Sequence, residues 1–165
     1  MGYTTDFTGS VQVLPPLNAT ESAYLRKFAG TRRMARDRGP YFVDGRGDFG
    51  QGRDEDVRDF NTPPAGQPGL WCQWVPTEVD GRIEWDGGEK FHNAVAWMRY
   101  LIDHFLKPGA QASNADDPQF ADFTFDHVVN GHIDAEGEDS GDVWRLVVRD
   151  NVVSRVNGVI TYPET

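Results

Sequence analysis

The sequence predicts an α+β domain of the ferredoxin-like, split β-α-β kind, with an antiparallel sheet, two helices on one face, a long inserted loop and a C-terminal β-meander. Three observations predict it. Two aromatic strand-like runs, LWCQWV and RIEWD, lead straight into a strongly amphipathic segment. An alternating strand and a capped helix precede them, and alternating segments divided by turn dipeptides follow.

Residues 3 to 14, YTTDFTGSVQVL, alternate and are rich in Thr, Val and aromatics, so they read as a strand that stops at Pro15-Pro16. Asn18 and Glu21 have the spacing of a capping box, in which each side chain satisfies a backbone donor that a helix start leaves unpaired. Tyr24, Leu25 and Phe28 line one face of that helix, and Gly30 marks its end. From 31 to 69 glycine and proline recur too often for a long element, while Tyr41, Phe42, Phe49 and Phe60 remain. This is an irregular insertion that packs back onto the body.

LWCQWV and RIEWD then pair as a hairpin through PTEVDG. The next helix is entered directly through Asp86-Gly87-Gly88, with Asp86 as cap, and its apolar stripe is Phe91, Val95, Met98, Leu101, Ile102 and Phe105. Pro108-Gly109 ends it and a loop follows to residue 119. FTFDHVVNGHIDAE reads as a strand bent at Gly131, and Trp144, Leu146 and Val148 alternate in the next. Asp150-Asn151 and Asn157-Gly158 are turn signals that carry the meander to Tyr162.

A chain of 165 residues is one domain, 1–165, with enough length for a core of its own. Its single cysteine, Cys72, excludes an intrachain disulfide and any multi-cysteine zinc site. MGYTTDFTGS has no basic or apolar leader character and no run reaches membrane-spanning length, so a soluble cytoplasmic protein without a membrane partner is expected. The net charge of −10 argues against duplex nucleic acid as a partner. Against that background Arg26, Lys27, Arg32, Arg33, Arg36 and Arg38 form a local basic stretch, while Glu136, Glu138, Asp139 and Asp142 make the C-terminal half acidic.

The strings MGYTTDFTG, FAGTRRM, GPYFVDG, GDFGQG, PPAGQPGLWCQWVPT, IEWDGGEKF and FDHVVNGHIDAEGED resemble those of a family of uncharacterised proteins from actinobacteria and their phages. The resemblance covers nearly the whole chain and implies a bacterial or phage cytosolic setting. It brings no activity, cofactor or catalytic residue with it.

Three constellations carry chemistry. Arg32, Arg33 and Arg36 offer guanidinium forks that recognise phosphates and carboxylates, with Trp71, Trp74 and Trp85 as a stacking wall. The competing structural reading puts several of those tryptophans in the core. Lys90 follows two glycines whose turn can hold an anion, although no GxxxxGK[ST] is present. His132, Asp134, Glu136 and Glu138 share a strand face, but they match no cation-binding pattern, and neither a metal nor a cofactor is expected. Cys72, between two tryptophans, reads as a small buried hydrophobe, and Arg46-Gly47-Asp48 and Asp48-Phe49-Gly50 as turn sequence.

The sequence therefore favours a non-enzymatic binding or interaction protein whose Arg-rich loop and aromatic hairpin take an anionic, nucleotide-like or acidic, small molecule or a host protein. One alternative is a small enzyme using Glu84 or Asp86 as acid-base residue near His92 or His127. Another is a structural homodimer joined through a sheet edge.

Overall fold

The computed structural model describes residues 2–44 and 54–164. In chain order the strands and α-helices are β1 (Thr5–Thr8), β2 (Ser10–Leu14), α1 (Ala19–Gly30), β3 (Ala35–Arg36), β4 (Val57–Asp59), β5 (Trp74–Pro76), β6 (Ile83–Trp85), α2 (Ala94–Leu101), β7 (Val128–Gly137), β8 (Val143–Arg149) and β9 (Val152–Asn157). Seven strands form one antiparallel sheet in the order β5-β6-β2-β7-β8-β9, with β1 also paired to β7, while β3 and β4 make a separate two-stranded ladder. The chain is thus mixed α/β with two α-helices among the described residues. Arg46-Gly47-Asp48, Asp48-Phe49-Gly50 and Phe49 lie outside those residues.

The first strand expected from the sequence is broken in two at Gly9, whose φ of +106° takes it out of the extended region. The register survives the break: Phe7 faces Ala135 on one side of it and Val11 faces Gly131 on the other. The bend expected at Gly131 is present, at φ +134°, and a β-carbon there would come within 3.2 Å of the Val11 α-carbon. Phe7 secures this strand to the rest by burying its ring among four others. Trp74, Trp85, Phe91 and Trp144 all meet it edge-on, with centroids 5.3, 5.5, 5.9 and 5.7 Å away.

The capping box of α1 is formed as expected: Asn18 Oδ1 accepts from the Glu21 backbone N–H at 2.8 Å, and Glu21 Oε1 accepts from that of Asn18 at 2.9 Å. Phe91, Met98, Leu101 and Phe105 are buried, as their spacing requires, and join Tyr24, Leu25 and Phe28 of α1 and the inward residues of β2, β7 and β8 in one core. The start of α2 differs from expectation. It begins at Ala94 rather than after Gly88, and Asp86 accepts from the Gly88 N–H in a tight turn instead of capping a helix. Gly87 at φ +86° and Lys90 at φ +58° break the helical path in between. At its other end α2 runs into a π-helical turn, Ile102–Leu106, with a Lys107 N–H to Ile102 carbonyl bond of 3.1 Å.

Two further boundaries differ from expectation, and one turn agrees with it. The strand expected from Phe123 begins only at Val128, after Phe125 at φ +48°. Asn157-Gly158 makes no turn; β9 ends at Asn157, the Gly158 N–H bonds the Val143 carbonyl at 2.8 Å, and residues 159–164 carry no strand. Asp150-Asn151 does turn the chain, with both residues at positive φ, 47° and 70°, between the paired Arg149 and Val152.

Alternate residues of the sheet stand away from the core. Ser10, Gln12, Asn130, His132, Asp134, Glu136, Arg145 and Arg149 are exposed or half-buried there, and no described residue of this face is aromatic. No described helix is long and apolar enough to cross a membrane.

Candidate functional site

The arginines expected at the surface are largely withdrawn from it. Arg33 is 2 % exposed and Arg36 9 %, because the 31–44 segment lies over the end of α1 and turns both side chains inward. Arg36 is neutralised: its Nη1 donates to Asp54 and Asp56 at 3.1 Å each, and its guanidinium lies over the Phe42 ring. Arg32 is half-buried, over the Phe60 ring at 4.7 Å, and donates to the Phe60 carbonyl and Asn61.

Arg33 stands differently. Its guanidinium lies 4.1 Å above the Phe28 ring, its Nε donates to Gln67 Oε1 at 3.2 Å and its Nη2 to the Pro40 carbonyl at 2.7 Å. Its Nη1 is buried without a hydrogen-bond partner, as are Nε and Nη2 of Arg36, but Arg36 has its two carboxylates. Burial pushes the group down to about 10. Gln67 also donates to the Pro40 carbonyl and, at 2.9 Å, to the Tyr100 hydroxyl. Tyr100 in turn stacks on His104 with centroids 3.7 Å apart, and His104 Nδ1 lies 2.7 Å from the Tyr41 hydroxyl. Burial pushes Tyr100 up to about 12, raises Tyr41 and lowers His104. Sequence reasoning missed this network. Tyr100 and His104, four apart on a helix, were a readable pair; Gln67 in its proline-rich surroundings was not.

Of the expected tryptophans, Trp74 is fully buried and donates to the Ala94 carbonyl, and Trp85 is half-buried in the group around Phe7. Trp71 remains at the surface, half-buried, and there it meets Lys90. The two line a cleft of about 310 Å³ with Gln73, His92, Asn93 and Trp97. Three bonds tie its walls together: Gln73 donates to the Glu89 carbonyl, Trp85 to Gln73, and Asn93 to the Pro68 carbonyl, at 2.8, 3.1 and 2.9 Å. The cleft therefore joins an exposed cation, Lys90, with the exposed Glu89 next to it in the chain, an aromatic wall and amide groups. Lys90 holds a left-handed backbone that suits glycine better, a local cost of about 1 kcal/mol.

A larger cleft, about 460 Å³, opens on the uncovered sheet face between Asp6, Asp134, Glu136, Arg145 and Val156. Its carboxylates outnumber its single arginine, which is already paired with Asp134 at 2.6 Å, so it does not suit an anion. Among the described residues no group of three or more His, Cys, Asp or Glu side chains could hold a metal ion.

The residues named for acid-base chemistry do not assemble around His127. That ring is closed on Glu21, with Nε2 to Oε2 at 2.7 Å and Nδ1 at 2.7 Å from the Pro15 carbonyl. Glu84 pairs with Ser10 and Val75 in the sheet, and His92 is exposed at the cleft. Cys72 is fully buried, and burial pushes its thiol up to about 12, which removes it as a nucleophile near neutral pH. Comparison with protein-family models, with curated proteins and with solved structures gives no match to this chain.

Proposed function

We propose that this chain is a non-enzymatic binding protein whose contact surface is the Trp71–Lys90 cleft and whose ligand is an anionic, nucleotide-like or acidic, small molecule. The observation that carries the reading is the meeting of Lys90, at a backbone conformation unfavourable to it, with the half-buried Trp71 in one cleft. Strain retained at a cleft residue points toward function, and a ring wall beside a cation fits a flat, negatively charged ligand. The strand order supports the finer, ferredoxin-like description: β2, α1, β5, β6, α2 and β7 follow the split β-α-β succession, and β8 and β9 extend the sheet as a meander. A cytoplasmic, bacterial or phage setting belongs to the same proposal and rests on the strings quoted above.

Native mass spectrometry of protein purified from its own host tests the reading, followed by titration of the retained molecule against intrinsic tryptophan fluorescence. Binding is expected to fall at least tenfold in Lys90→Glu and to weaken with salt. Equal affinity in a folded Lys90→Glu protein rejects the cleft.

A second reading, a homodimer through the sheet edge, is favoured by Val152 and Val156 of the edge strand β9, which are 68 % and 53 % exposed. Light scattering at micromolar concentration decides it.

A further inference from the structure

Around Arg33 the donors outnumber the acceptors. Gln67 Oε1 and the Pro40 carbonyl take Arg33 Nε and Nη2, and the Gln67 amide N–H groups are spent on the Pro40 carbonyl and the Tyr100 hydroxyl oxygen. What remains is Arg33 Nη1, buried without a partner, and the proton of the Tyr100 hydroxyl, whose oxygen is engaged here as an acceptor from Gln67. The two surplus donors flank one amide, since Gln67 touches both side chains.

Charge is unbalanced in the same place. The groups bonded to or stacked on Arg33 are Gln67, the Pro40 carbonyl and the Phe28 ring, all neutral. Arg36 has Asp54 and Asp56; among the described residues no carboxylate is bound to Arg33. A buried guanidinium needs both its hydrogen bonds and a counter-charge, because desolvation is costly for either lack. A neutral water could supply the first but not the second.

We propose that Arg33 and Tyr100 form a binding site for a small inorganic anion, a halide or an oxyanion, between Arg33 Nη1 and the Tyr100 hydroxyl. The site is distinct from the Trp71–Lys90 cleft and does not depend on it. Burial favours a small ligand over an organic one, since Arg33 is 2 % and Tyr100 5 % exposed. Pro40, whose carbonyl is part of the cluster, is exposed, which places the site close beneath the surface.

Thermal unfolding of the full chain in sodium chloride, sulfate and phosphate tests this, with sodium concentration matched between series. Matching matters because a chain of net charge −10 gains stability from any added cation. The melting temperature should rise saturably in at least one anion series, by about 5–10 °C at a hundredfold excess over Kd. Two variants check the assignment. Arg33→Gln should lose the anion response. Gln67→Glu places a carboxylate beside the guanidinium, so it should melt higher than the parent at low salt and no longer respond to the anion. If Arg33→Gln does not fold, Gln67→Glu and the chloride-35 NMR linewidth of the parent, broadened and then narrowed by the competing oxyanion, carry the decision. A parent whose stability is the same in all matched anions, or an anion response unchanged in Gln67→Glu, overturns the proposal.

Discussion

Two ionisable side chains flank α1 and both are buried: Glu21 in its first turn and Arg33 just beyond its last, at 0 % and 2 % exposure. Their surroundings are opposite. Glu21 accepts from the Asn18 N–H, from His127 and from Thr124, while both ring nitrogens of His127 face acceptors, so the pair is held as carboxylate and imidazolium. Arg33 has hydrogen-bond acceptors for two of its three nitrogens and a ring for its face, but no opposite charge bound to it among the described residues. A matched buried pair ties elements together, here β2, α1 and the start of β7. An unmatched buried charge weakens the fold, so its presence asks for a use.

The largest loss of stability is expected at Glu21. Glu21→Leu removes half of the capping box and leaves His127 buried without its counter-charge, and should cost about 3–5 kcal/mol, read from the urea midpoint. A loss under about 1 kcal/mol would mean the pair is not the structural tie described here.

The Glu21–His127 pair also makes stability depend on pH. Burial alone would raise Glu21, but the bonds from His127 and the Asn18 N–H outweigh it and hold the carboxyl below its ordinary 4.5. Burial alone would lower His127, but Glu21 and the Pro15 carbonyl outweigh it and hold the ring above its ordinary 6.5. The Glu21 contribution is therefore complete above 4.5 and lost as pH falls through its folded value. That of His127 is complete below 6.5 and lost as pH rises through its folded value. The stability difference between the parent and Glu21→Gln should thus be largest between about pH 4.5 and 6.5 and shrink on both sides, measured by thermal melts across the range.

At Arg33 a smaller effect is expected. Arg33→Met, in buffer of low anion content, should change stability by less than about 1–2 kcal/mol and can raise it, because an uncompensated desolvation cost disappears with the charge. A loss as large as that of Glu21→Leu would show that Arg33 is as structural as its counterpart.

The smallest effect on stability belongs to Lys90. Lys90→Gly relieves a left-handed backbone at φ +58°, so stability should stay within about 1 kcal/mol of the parent, upward rather than downward, while ligand binding at the cleft is lost. Chemical denaturation and fluorescence titration on one sample separate the two.

The capping box at Asn18 and Glu21, the stripe from Met98 to Phe105, the bend at Gly131 and the turn at Asp150-Asn151 were legible because each depends on residues near one another in the chain. The sequence by itself determined the helices, most of the strand succession and the identity of the core. Which side chains meet was decided by the tertiary structure alone. Arginine composition is the same whether the side chain reaches water or lies over Phe28, and the 31–44 segment chose the second by folding across the end of α1. His127 could not announce Glu21, 106 residues away, nor Trp71 announce Lys90, because such pairs are brought together by sheet order and loop path. Local periodicity encodes which face is buried; it carries no information about distant partners, and the chemistry of this chain lies with those partners.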